Sequence, residues 1–229
     1  MKTTKQAKDC FINSSIGNES ELLSTFDVNS KITIADIGAC DGLSTIHYSK
    51  MFSNAIFLCF EMIYENYLEM IKNFMEYGID KRANCYHVAL SDTFEDRKVF
   101  VSYGQAPTVK TWNTGNKSSS LLKPKEHLLE HPWCNFSEKT IKTSLLDYFW
   151  LPIDFMHIDV QGAEKMVLNG ASEKLKTTTA IWIEVSEKEL YENQAMTNDI
   201  KDILLQKGFE LIKNTCSTGG VGDQFWRKI

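Results

Sequence analysis

The run Asp36-Ile37-Gly38-Ala39-Cys40-Asp41-Gly42 sets two carboxylates and two glycines in a span suited to holding a small ligand against main chain. It follows the apolar stretch Lys31-Ile32-Thr33-Ile34 and precedes Leu43-Ser44-Thr45, so it reads as strand, glycine turn and helix start. Such a turn presents backbone N–H groups at the carboxyl end of a strand, where open α/β sheets bind nucleotides. Gly38 and Gly42 lack the side chains that would hold a ligand off the backbone. A second apolar run, Ala55-Ile56-Phe57-Leu58-Cys59-Phe60, ends in Glu61, a carboxylate placed to accept both hydroxyls of a ribose. The spacing is G-x-x-x-G rather than the dinucleotide G-x-G-x-x-G, and Asp41 inside the turn would repel a pyrophosphate. A carboxylate there is compatible with a cationic nucleoside such as S-adenosylmethionine.

A second set of acids lies downstream. Asp159 falls near the end of the apolar run 153–160 and Glu184 near the end of 180–185. Strands that neighbour each other lie about 4.8 Å apart, so two such carboxylates would face one crevice. A pair of this kind either shares a divalent cation such as Mg²⁺ or has one member with a raised pKa acting as a base. His157 precedes Asp159 by two and projects to the same face, either as a base or as a satisfied buried histidine. Glu164 opens a helix, where it complements the helix dipole or orients the preceding loop. His127 and His131 have the i, i+4 spacing of helical metal ligands, but no third ligand accompanies them in sequence.

The elements that must position these residues alternate. Strands are predicted over 31–34, 55–60, 84–90, 99–101, 153–160 and 180–185, with a terminal hairpin of 209–212 and 224–227. Helices are predicted over 44–51, 64–77, 164–168 and 198–207. This is the pattern of an α/β fold with a parallel sheet covered by helices. At 229 residues and 43% hydrophobic content the chain is expected to form one domain, with residues 1–20 as an N-terminal extension. No apolar run is long enough to span a membrane, the first residues lack a signal-peptide core, and the six scattered cysteines fit reduced thiols, so a cytoplasmic location is expected.

The formal charge of −5 argues against general nucleic-acid binding, yet residues 97–142 carry eight lysines and arginines against three glutamates. With Trp112, Trp133 and the polar run 113–120, residues 97–143 read as an irregular basic insertion over the sheet. It is either a solvated loop or an acceptor lid, its tryptophans stacking on a sugar face and its lysines favouring an anionic or phosphorylated carrier.

Taken together, Asp36-Ile37-Gly38-Ala39…Gly42…Thr45, Phe60-Glu61, Ala89-Leu90-Ser91-Asp92, Ser119-Ser120-Leu121, Thr143-Ser144-Leu145-Leu146-Asp147 and Asp159-Val160-Gln161-Gly162-Ala163-Glu164 resemble the FkbM-family methyltransferases, over roughly residues 31–212. The chain departs from that pattern at Cys40, where Asn is usual, at His157, where Lys or a similar residue is usual, and at Gln161, where Glu is common. The resemblance implies a Rossmann-like class I fold, a doubly wound seven-stranded sheet with an antiparallel last strand. It also implies S-adenosylmethionine as cofactor and methyl transfer onto a hydroxyl of a sugar, glycan or other small molecule. RNA or protein methylation, or cofactor binding without catalysis, are the alternatives. The cofactor set so implied is Asp36, Gly38, Ala39, Asp41, Gly42, Glu61 and Met62, with Leu90 and Asp92 near the adenine. Asp159, Glu184 and His157 form the catalytic set, the first two also being the candidate metal ligands.

Overall fold

The computed structural model describes residues 4–107 and 115–229. Two helices, α1 (Thr4–Ile12) and α2 (Glu19–Thr25), precede β1 (Thr33–Ile37), α3 (Leu43–Met51), β2 (Ile56–Glu61), α4 (Tyr64–Glu76), β3 (Ala83–His87), β4 (Ala89–Leu90) and β5 (Asp96–Gly104). There follow α5 (His127–Glu130), β6 (Cys134–Ser144), β7 (Phe155–Ile158), α6 (Glu164–Asn169), α7 (Lys174–Thr177), β8 (Ala180–Ser186), α8 (Thr197–Gln206), β9 (Phe209–Asn214) and β10 (Val221–Lys228).

Seven strands form one sheet in the order β3-β2-β1-β7-β8-β10-β9. The pairs β3/β2, β2/β1, β1/β7 and β7/β8 are parallel, and β10 runs antiparallel to both β8 and β9. This is the seven-stranded, mostly parallel sheet with an antiparallel last strand that the resemblance implies. β1 is buried along its whole length, as the apolar character of a central parallel strand requires. Its alternate residues feed opposite faces. Ile34 joins a core beneath α1–α4, whereas Ala35 and Ile37 join one beneath α6 and α8.

Two segments differ from the sequence reading. The expected strand 84–90 breaks at Val88, and β4 leaves the main sheet to pair with β6 in a three-stranded sheet ordered β4-β6-β5. The insertion expected to be irregular is edged by a long ribbon, with β5 and β6 paired from Asp96↔Lys142 to Gly104↔Cys134. The expected strand 99–101 lies within β5, whereas β6 lacks an apolar signature because much of it faces water. Residues of the N-terminal extension are packed, with Ile12 in the core alongside Leu22 of α2. Lys8 donates to Glu69 at 2.5 Å and Asn73 at 2.7 Å on α4. Among the described residues no helix is long and apolar enough to cross a membrane.

Candidate active site

The parallel strands β2, β1 and β7 end side by side, and a cleft of about 260 Å³ opens at their carboxyl ends. Asp36, Gly38, Ala39, Asp41, Glu61, Met62 and Leu90 line it, together with His157 and Asp159. Gly42, Asp92 and Glu184 do not.

The turn after β1 is held against its neighbours on both sides. Toward β7, a Cβ on Gly38 would stand 1.8 Å from the Asp159 carbonyl oxygen, so only glycine lets the two strand ends meet. Toward β2, Glu61 accepts the N–H of Cys40 at 2.8 Å through Oε2 and that of Ile63 at 2.6 Å through Oε1. Burial pushes the Glu61 carboxyl up to about 7, against the pull of these two backbone donors. Cys40 adopts φ +51°, a left-handed conformation that Asn tolerates well. Gly42 faces away from the cleft. It caps α3 at φ +77°, and its Cβ would strike the Phe74 ring at 2.5 Å, so it serves helix packing rather than ligand approach. Asp92 likewise turns aside, accepting from Ser91 at 3.0 Å with Arg97 at 3.7 Å.

Asp36 is buried and committed within the protein. Its Oδ2 accepts the Thr45 hydroxyl at 2.5 Å, and its Oδ1 lies 3.1 Å from His157 Nδ1 across the β1/β7 pairing. Burial alone would lower the His157 pKa, but Asp36 and the more distant Asp159 and Asp223 outweigh it and raise the pKa above its ordinary value. The geometry places His157 as a partner for the buried Asp36 carboxylate.

Asp159 and Glu184 follow the paired residues Ile158 and Ile183 of β7 and β8 and lie side by side. The Gln161 amide bridges them, donating to Asp159 Oδ1 at 2.7 Å and Glu184 Oε2 at 3.2 Å. Gln161 is itself held at φ +56°, with its Oε1 3.2 Å from the Tyr191 hydroxyl. Burial raises Glu184 well above the usual carboxylate range, helped by Asp159, Glu164 and Asp223. Asp223, opposite Glu184 on β10, is pushed up to about 6 by burial, His157 pulling it down and Asp159 pushing it up. The two-carboxylate cation site expected from sequence is thus spanned by an amide. Among the described residues no cluster of three or more His, Cys, Asp or Glu could hold a metal ion. The His127–His131 pair is part of an aromatic cluster with ring centroids 4.8 Å apart, beside Phe136 and Tyr191. Burial and the neighbouring His131 push His127 down to about 4.

Glu164 orients the loop between β7 and α6. Its Oε1 accepts the N–H groups of Val160 and Gly162, each at 3.1 Å, while burial pushes its carboxyl up to about 7. A folded-state pKa above the ordinary 4.5 means that the native protein binds more protons than the unfolded chain between about 4.5 and 7. Stability from this group is therefore full at low pH and lost as pH rises through 7. Glu164→Gln keeps an acceptor oxygen and removes the titration, so its melting temperature should decline less steeply over that window than wild type. Identical slopes would assign the pH dependence elsewhere.

The insertion passes over the cleft. Asn116, Lys117, Ser119 and Leu121 line it, and Lys117 Nζ lies 3.5 Å from Asp41 Oδ2. Asn66 on α4 donates to Asn116 O at 3.1 Å, and the Ser120 hydroxyl donates to Gln161 O at 2.7 Å. Trp112 lies outside the described residues. Trp133 packs on His131 at 5.7 Å and takes no part in lining the cleft. Sequence reasoning missed Phe11, Asn66 and Lys117 in the cleft wall, and Tyr191 behind Gln161. The serine run beside Lys117 was the one available signal.

The donor set suits S-adenosylmethionine. The buried Glu61 carboxylate could accept ribose hydroxyls, Met62 and Leu90 offer apolar contact in the same wall, and Asp36, Asp41 and Asp159 suit a cationic ligand.

Comparison with known proteins agrees. The methyltransferase FkbM domain family matches residues 36–211. The 2-O-methyltransferase NoeI of Sinorhizobium fredii is 32% identical over 185 residues, covering 78% of this chain and 72% of that protein. A methyltransferase FkbM from Methylobacillus flagellatus KT matches 86% of this chain with a TM-score of 0.54 at 12% identity, and this chain spans 43% of its length. A putative rRNA-methylase from Clostridium thermocellum matches 100% of this chain and 97% of its own, with a TM-score of 0.52 at 9% identity. Identities this low speak for the shared fold alone. On the family match and the NoeI similarity, this chain belongs to the FkbM family of S-adenosylmethionine-dependent methyltransferases.

Proposed function

We propose that the protein methylates a hydroxyl oxygen of a sugar, a glycan or another small molecule. The observation that carries this reading is Asp159, a carboxylate in the wall of the cleft, beside the glycine turn and fixed on one oxygen by Gln161. When bound, S-adenosylmethionine supplies a methyl group on a positively charged sulfur, and the protein supplies position and proton removal. Asp159 Oδ1 is taken by the amide, which leaves the other oxygen to accept the acceptor's hydroxyl proton. Burial pushes the Glu184 carboxyl beside it well above the usual carboxylate range, with Asp159 adding to the rise. Gln161 holds the Asp159 carboxylate in one orientation, which is where much of a displacement reaction's acceleration arises. The relative named a 2-O-methyltransferase supports oxygen as the acceptor atom. The strap of residues 116–121 is the roof under which the acceptor enters.

Incubation with tritiated-methyl S-adenosylmethionine and separate sugar, RNA and protein fractions tests the substrate class. Label is expected in the sugar-containing or small-molecule fraction, in a form stable to mild base, as an ether is and an ester is not. Label confined to RNA or protein would overturn the proposal.

A further inference from the structure

The cleft wall presents four carboxylates, Asp36, Asp41, Glu61 and Asp159, and among its described residues a single ammonium, that of Lys117. S-adenosylmethionine carries a sulfonium, an ammonium and a carboxylate. The acids complement its two cationic groups. Its carboxylate, in a wall of like charge, needs a cation.

We propose that Lys117 binds the amino-acid carboxylate of the cofactor, which makes the insertion part of the cofactor site. The inference rests on the ribose lying at Glu61. Neighbouring strands are about 4.8 Å apart, so the cleft runs about 10 Å from Glu61 at the end of β2, across β1, to Asp159 beyond β7. A cofactor anchored by its ribose at Glu61 directs its amino-acid end toward β1 and β7. Lys117 stands there, 3.5 Å from Asp41 in the turn after β1. Burial works against its charge, but Cys40 and the Asp41 and Asp159 carboxylates outweigh burial and raise its pKa above the ordinary value. Asp41 and Lys117 thus form a complementary pair for the ligand's own ammonium and carboxylate.

The strap that carries Lys117 is fixed at both sides. Asn116 exchanges hydrogen bonds with Asn66, and Ser118 N–H donates to the Ser102 hydroxyl at 3.1 Å. The Tyr191 hydroxyl lies 2.9 Å from Ser118 O, and the Ser120 hydroxyl bonds Gln161 O. The ammonium is therefore in place before ligand arrives, which lowers the ordering cost of binding. One consequence concerns the acceptor. The one ammonium of the described cleft wall belongs to the cofactor, so the acceptor need not be anionic at the reacting end.

Calorimetry with two nucleosides tests this. S-adenosylhomocysteine has the amino-acid end, whereas 5′-methylthioadenosine shares its adenosine and thioether but lacks that end. Lys117→Met should weaken S-adenosylhomocysteine roughly 10- to 100-fold, the worth of a charge-assisted hydrogen bond, and leave methylthioadenosine unchanged. Lys117→Arg should restore most of the loss. Lys123→Met, which removes an insertion lysine paired with Glu192 outside the cleft, should change neither. Normal S-adenosylhomocysteine affinity in Lys117→Met would overturn the proposal. An equal loss for both nucleosides would also overturn it, showing that Lys117 merely supports the cleft. Failure of the wild-type protein to bind S-adenosylhomocysteine would instead strike at the cofactor site itself.

Discussion

Asp159→Asn should lower kcat by roughly 10²–10⁴, the range for loss of a general base. The substitution keeps shape and the oxygen that accepts from Gln161, and it removes the charge that takes the hydroxyl proton. Affinity for S-adenosylhomocysteine should change little, because Glu61 and the turn after β1 are untouched. The loss should persist across pH, since an amide cannot be ionised into a base. Addition of Mg²⁺ or a chelator should leave wild-type turnover as it was, given that an amide spans the two carboxylates expected to hold a cation. Near-normal kcat in Asp159→Asn would remove Asp159 from the chemistry. Loss of wild-type turnover on chelation, restored by Mg²⁺, would return a metal to the site.

Glu61→Ala should weaken S-adenosylhomocysteine by about 1.5–3 kcal/mol, the usual worth of hydrogen bonds to a charged group. Its pH dependence provides a sharper check. On the proposed cofactor site the ionised carboxylate is the form that would accept the ribose hydroxyls, and burial raises its pKa to about 7 in the free protein. Wild-type affinity should therefore rise as pH increases through 7, as ligand binding favours the ionised form. Glu61→Ala should flatten that rise. An affinity and pH profile like those of wild type would place the ribose elsewhere.

The central strands were legible because β1 and β2 are largely buried apolar runs, with Asp36 next to the last residue of one and Glu61 at the end of the other. The adjacency of Asp159 and Glu184 followed from two strands of this kind lying together in a parallel sheet. What remained hidden depends on registers and long-range packing. The pairing of His157 with Asp36 needs the β1/β7 alignment, and nothing in the histidine's own sequence neighbourhood shows it. Gly42 looked like a ligand-facing glycine, but the demand on it comes from Phe74, a full helix away. Phe11 enters the cleft wall from the first helix, and beyond the expected strand 99–101 the ribbon of β5 and β6 is too polar to read as strand. Lys117 was visible only as one lysine among several, since its place over Asp41 depends on a strap tied to α4 and to Gln161.

Transfer of a carbon-13 methyl group from labelled S-adenosylmethionine, read by NMR and mass spectrometry of the product, tests oxygen methylation most directly. The expected result is one added methyl whose carbon resonates as a methoxy group on a sugar or small-molecule hydroxyl, absent from Asp159→Asn reactions. A methyl on nitrogen, carbon or sulfur, or an unchanged yield with Asp159→Asn, would contradict it.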